Sequence, residues 1–92
     1  QSVQVMLVNF GDAFQQKNFA LLQFLRANGL SCELYPDAIK FDKQLKYANK
    51  KNIGFIIIIG ETELQNDLIT VKNFKSGEQQ SLPLDQLIAF LH

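Results

Sequence analysis

Histidine is almost absent from this chain: among its 92 residues the single histidine is the last, His92, which reads as a tail residue. Ser-His or Cys-His catalytic pairs and histidine-ligated metal sites therefore have nothing to build on in the body of the sequence. Cysteine is equally scarce. Cys32 stands alone, so no internal disulfide can form, which fits a reducing compartment; its plain reading is a small apolar residue at a strand start. No apolar run approaches the roughly 18 residues of a membrane span, and the amino end lacks a basic start followed by an apolar stretch. The chain reads as cytoplasmic, with no membrane partner. Neither G-x-G-x-x-G nor G-x-x-x-x-G-K-[ST] occurs, and Gly11 and Gly60 stand alone, so a phosphate cradle is not indicated. A receiver-like phospho-acceptor site finds no support either, because Asp12 is read as a helix cap and the third strand ends in Gly-Glu. Net charge is also missing, with 9 Lys and Arg against 9 Asp and Glu, which removes any whole-molecule attraction to nucleic acid.

What remains is an ordinary globular composition, 47% hydrophobic and 20% charged, without repeats or low complexity. That length supports one domain over residues 1–92, able to bury roughly two-thirds of its unfolded surface on a single core. The first residue is Gln1 rather than methionine, so the chain is expected to be a processed form or an excised piece of a longer protein. Val3 to Val8 predicts a first strand. Asp12 as N-cap, with Gln15 three residues on, predicts the start of a helix that aligns Phe14, Leu21, Leu22 and Leu25 and closes on a left-handed Gly29. Ser31 to Tyr35 follows as a strand, then a helix over about Ile39 to Lys51 that buries Phe41, Leu45 and Ala48. The run Phe55-Ile56-Ile57-Ile58-Ile59-Gly60 reads as a strand covered on both faces. Gln65-Asn66-Asp67 then turns into a strand over Leu68 to Phe74. Lys75-Ser76-Gly77 predicts a hairpin turn into Glu78 to Leu82. Pro83 stops that strand, and Leu84, Leu87, Ile88 and Leu91 predict a closing helix. The order β-α-β-α-β-β-β-α predicts a three-layer α/β/α sandwich over a mixed five-stranded sheet.

Two features bear on chemistry. Glu61 and Glu63 follow the isoleucine run, at the carboxyl end of a buried strand, where ligands of open α/β sheets tend to bind. On an extended segment these alternate residues face opposite ways, so they are not expected to share an acid/base site; the bland reading is a pair of solvated loop acids. Between Lys40 and Lys51 lie five lysines against one acid, Asp42. Such a face is commonly just solvated. Tyr47 amid Lys43, Lys46 and Lys50 at helical steps nevertheless suits single-stranded RNA, which needs phosphates neutralised and unstacked bases covered.

The segments Tyr35-Pro36-Asp37-Ala38, Lys43-Gln44-Leu45-Lys46-Tyr47-Ala48, Ile59-Gly60-Glu61-x-Glu63-Leu64 and Thr70-Val71-Lys72-Asn73-Phe74-Lys75-Ser76-Gly77-Glu78-Gln79 resemble the C-terminal anticodon-binding domain of histidyl-tRNA synthetase, a class II aminoacyl-tRNA synthetase. The resemblance covers essentially the whole chain. It implies strand order 2-1-3-4-5 with strand four antiparallel and three flanking helices. It further implies a domain that is not an enzyme alone and holds no cofactor, while a separate catalytic domain of a homodimeric, ATP-dependent ligase charges the tRNA. The implied partners are the histidine tRNA anticodon loop and that catalytic domain. A histidine anticodon begins and ends in guanine, whose N1–H and N2–H donors match a carboxylate acceptor. By family position Glu63 is the base-contacting acid, with Glu61 beside it. Lys46 and Lys72 fall where related synthetases use arginine, and lysine lacks the planar fork, so phosphate contact is the firmer expectation there. A further polar contact before the second helix falls near Asp37. A synthetase-like domain used only for protein interaction is the alternative reading.

Overall fold

The computed structural model describes residues 3–92; Gln1, the basis for reading a piece of a longer protein, lies outside the described residues. Along the chain run β1 (Val5–Leu7), α1 (Gln15–Ala27), β2 (Cys32–Leu34), α2 (Phe41–Lys50), β3 (Phe55–Ile58), α3 (Glu61–Asn66), β4 (Ile69–Asn73), β5 (Gln79–Leu82) and α4 (Leu87–Leu91). Short 3-10 turns at Asp12–Phe14 and Leu84–Gln86 lead into α1 and α4. The sheet order is 2-1-3-4-5: β1 lies parallel to β2 and β3, while β4 runs antiparallel to both its neighbours.

Strand alternation makes this sheet apolar on both sides. Val5, Leu7, Ile57 and Ile59 face one layer, where α1 supplies Leu21, Leu22 and Leu25 and α4 supplies Leu87 and Leu91. Met6, Val8, Ile56 and Ile58 face the other, where α2 supplies Ala48 with Phe41 and Leu45 packed beside it. The isoleucine run is therefore covered from both sides, as its unbroken apolarity predicts. Gly29 takes the expected left-handed conformation at φ +80° and closes α1, with the Leu30 N–H reaching the Leu25 carbonyl at 3.1 Å. The hairpin also matches. Gly77 sits at φ +78°, and its N–H donates to the Asn73 carbonyl at 2.8 Å.

Three local readings are corrected. Glu61 to Asn66 is not an extended approach to a turn but a helix, α3, so the sandwich carries four helices rather than three. Glu61 and Glu63 still diverge, now because residues two apart on a helix lie about 200° apart. Asp12 does not cap α1: it is exposed, makes no capping bond and opens the 3-10 turn instead. The Gln15 amide, rather than completing a capping box, donates to Asn9 Oδ1 at 3.2 Å. Leu84 does not join the closing apolar face; the turn after Pro83 leaves it 41% exposed.

A buried polar clamp fixes α2 against the carboxyl end of β1. Gln44 is fully buried. Its Oε1 accepts from the Asn9 N–H at 2.8 Å, while its Nε2 donates to the Asn9 carbonyl at 2.8 Å and the Ile39 carbonyl at 2.9 Å. Asn9 in turn donates from Nδ2 to the Tyr35 carbonyl at 2.9 Å. The lysine-bearing helix is thereby held to the sheet by satisfied hydrogen bonds as well as by Ala48.

Candidate nucleic-acid interface

Only part of the α2 side of the sheet is roofed. α2 lies over β1 and β3, while β4 and β5 extend the sheet beyond it. Register decides what this extension displays: Lys72 pairs with Ile56 and Gln79, and Thr70 with Ile58 and Ser81. Ile56 and Ile58 belong to the α2 layer, so Thr70, Lys72, Gln79 and Ser81 share that face. Gln79 and Ser81 are exposed on it.

Where α2 meets this extension there is a groove of about 390 Å³, lined by Leu45, Lys46, Asn49, Lys72, Phe74 and Gly77. Lys46 comes from the helix and Lys72 from the sheet. The Lys72 ammonium lies 5.8 Å from the centre of the Phe74 ring, within cation–π range. Two cations from separate elements therefore flank one apolar-floored trough. Lys43 and Lys50 are exposed on the same helix, within about 60° of Lys46 at 100° per residue.

Tyr47 turns elsewhere. Its ring packs edge-on against Tyr35 at 5.2 Å, its hydroxyl donates to Glu33 Oε1 at 3.2 Å, and its nearest cation is Lys51, 5.9 Å from the ring centre. The Glu33 carboxylate, then burial, raises the Tyr47 phenol above its ordinary range. Its ring is committed to β2, and the aromatic surface in the groove is Phe74. Asp37 lies exposed in the loop before α2, and Glu61 is exposed in the first turn of α3.

Glu63 stands at the far end of the open face, and its carboxylate has a definite structural task. Oε1 accepts the Gly60 N–H at 2.8 Å, capping α3, and Oε2 accepts the Thr70 hydroxyl at 2.8 Å, tying α3 to β4. The Thr70 hydroxyl is also 2.7 Å from the Ser81 hydroxyl on β5. Partial burial pushes the Glu63 carboxyl upward, but the Thr70 hydroxyl and the backbone N–H groups outweigh it and hold the group below the usual glutamate range. Each oxygen keeps a further lone-pair direction.

The structure thus brings Lys46 and Lys72 together, with Lys43 and Lys50 alongside, and sets Glu63 at the end of the same sheet face. Phe74, Asn49, Thr70 and Ser81 were not singled out by the sequence. The signal available for Thr70 was the polar period of β4, where Thr70 and Lys72 alternate with Ile69 and Val71. Among the described residues no group of three or more His, Cys, Asp or Glu side chains is placed to hold a metal ion, and no helix is long and apolar enough to cross a membrane.

Comparison with known proteins bears on this geometry. The family model described as the anticodon binding domain matches residues 3–92. A histidine-tRNA ligase of Bacteroides fragilis is 41% identical over 88 residues, which are 96% of this chain and 19% of that protein. One from Porphyromonas gingivalis is 42% identical over 82 residues, 89% of this chain and 18% of its own length. Among solved structures, a histidyl-tRNA synthetase from Nostoc superposes with a TM-score of 0.92 at 30% identity, covering 99% of this chain and 22% of that one. The RNA binding domain of a threonyl-tRNA synthetase from Cryptosporidium parvum shares the fold, with a TM-score of 0.86 at 19% identity, over 96% of this chain and 22% of that one. The chain spans about a fifth of the length of the curated relatives it matches.

Proposed function

We propose, from the premise that this chain belongs to the anticodon binding domain family, that it recognises the anticodon loop of histidine tRNA for a histidine-tRNA ligase. The family membership rests on the match over residues 3–92, and the histidyl branch on the relatives at 41% and 42% identity. A borrowed domain serving only protein contacts is the less favoured reading, since those relatives are themselves ligases. The ATP-dependent ligation, the catalytic-domain partner, the homodimer and the cytoplasmic setting implied by the resemblance go with this reading of the larger enzyme.

One observation carries the site. In a chain of zero net charge, Lys46 and Lys72 converge from a helix and a strand on one groove floored by Leu45 and Phe74. Such a trough neutralises phosphates while offering apolar and π surface to unstacked bases, the combination single-stranded RNA requires. Lys43 and Lys50 extend the cationic track along α2, and the free lone pairs of Glu63 accept from a guanine edge. Glu61, Asp37 and Tyr47 lie outside the groove lining and take a peripheral part.

The test is a titration of the chain with histidine and non-histidine anticodon stem-loops at two salt concentrations. Tighter binding of the histidine loop, weakening steeply with salt, is the expected result. Equal, weak binding of all loops would remove the reading.

A further inference from the structure

The hydroxyl-carboxylate chain on the open sheet face has only one consistent arrangement of protons. An ionised carboxylate can only accept, so in the Thr70–Glu63 contact at 2.8 Å the Thr70 hydroxyl donates, its proton directed at Glu63 Oε2. Thr70 then has no proton left for Ser81. The 2.7 Å contact between the two hydroxyls must be made by Ser81 donating to Thr70. Ser81 is exposed, on the same face as Lys72 and Gln79. Its proton points inward along the chain and its lone pairs point out. A serine hydroxyl ordinarily rotates to donate or accept as a ligand demands; here its polarity is set from two residues away.

We propose that Ser81 is a specificity-determining residue that reads an N–H donor, the 2-amino group of an anticodon guanine, through a hydroxyl locked as an acceptor by Thr70 and Glu63. This rests on the tRNA reading above and adds to it a second acceptor beside Glu63, both linked to the same threonine hydroxyl. It also makes Glu63 a positioning residue for Ser81, whatever it contacts itself. In Glu63→Gln the Gly60 N–H still demands an acceptor, so the amide oxygen must take the cap and the amide nitrogen must face Thr70. Thr70 then accepts from the amide and donates to Ser81. The Ser81 proton swings outward, and the site presents a donor to a donor.

The experiment uses this chain with Ser81→Ala, the conservative Ser81→Thr and Glu63→Gln, and measures Kd for the histidine anticodon stem-loop and for loops with each guanine replaced in turn by inosine, which lacks the 2-amino group. One inosine substitution is expected to weaken the parent about tenfold, the scale of one lost hydrogen bond. Ser81→Ala should weaken the guanine loop by a similar factor, add nothing to that inosine loop, and be restored by Ser81→Thr. Glu63→Gln should lose guanine preference at the same position and combine non-additively with Ser81→Ala. A parent that binds while Ser81→Ala binds equally well, or weakens guanine and inosine loops alike, would overturn the inference alone. A parent that binds no loop would remove the tRNA reading and this inference with it.

Discussion

Replacing Glu63 by glutamine tests whether this acid in the first turn of α3 serves the fold as well as the ligand. The substitution keeps shape and leaves both internal contacts geometrically possible, but each bond loses its charge. Hydrogen bonds to an ionised group contribute about 1.5–3 kcal/mol and neutral ones about 0.5–1.5 kcal/mol, so two bonds lose on the order of 2 kcal/mol before screening. Glu63 is only half-buried, and solvent screening brings the expected loss to about 1 kcal/mol at neutral pH. For a domain of this size that is a fall of roughly 4–8 °C in Tm. The sign of the pH dependence follows from the direction of the shift. Folding holds the Glu63 carboxyl below its usual range, so its contribution is fully present above the unfolded value of about 4.3. It is lost as pH falls through the lower folded value. Urea unfolding of parent and variant from pH 7 to pH 3 should show a constant gap that closes in the acid range, because a protonated Glu63 resembles the amide. A gap that persists unchanged at pH 3, or no gap at pH 7, would refute the reasoning.

Neutralising Lys43, Lys46 and Lys50 together to glutamine should leave the circular dichroism spectrum unchanged and reduce the salt slope of stem-loop binding by about 0.7 for each phosphate contact removed; an unaltered slope would make them a solvated face. Gln44→Leu should cost about 2–4 kcal/mol in urea unfolding, because the Asn9 N–H and the carbonyls of Asn9 and Ile39 lose a buried partner at once. A loss under about 1 kcal/mol would mean that water replaces the amide.

The sheet was legible because its strands obey different but simple patterns. Ile56 to Ile59 carries no polar residue and must be covered on both faces, while Lys75-Ser76-Gly77 marks a hairpin by the one residue that tolerates φ +78°. α3 was not legible. Glu61-Thr62-Glu63-Leu64-Gln65-Asn66 is only six residues long and has a single large apolar side chain, Leu64, which is exposed, so no period betrays a helix. Its stabilising contacts are the Glu63 cap on Gly60 and the left-handed Asp67 at φ +53°. A glycine at the N-cap has no side chain to complete the usual capping signature. In the candidate site, Lys46 and Lys72 are 26 positions apart, and only the placement of α2 beside β4 shows that they share a groove. Tyr47 was misleading for the opposite reason. Helical spacing put it near the lysines, but its partners Tyr35 and Glu33 lie on or beside β2, which no local pattern reveals.

The acid in the short helix after the buried strand is explained by where its two contacts lie. The sheet widens past β3 into β4 and β5, beyond the cover of α2, and besides the strand ladders a side-chain link ties that extension to the segment after β3. Glu63 does so with one oxygen on the α3 cap and the other on Thr70, whose hydroxyl reaches Ser81 on the edge strand. An apolar residue could fill the volume but could not satisfy the Gly60 N–H or orient Thr70. A lysine would invert every proton in the chain. The carboxylate thus serves the geometry of the open face before any ligand arrives, and the polarity it imposes on Ser81 is a consequence of that structural task. Substitutions at Glu63 therefore change stability and recognition together, whereas substitutions at exposed Ser81 separate them. If Glu63→Gln lowers stability and guanine preference while Ser81→Ala lowers only the second, one carboxylate is shown to set both the fold of the extension and the sign of the hydrogen bond it offers.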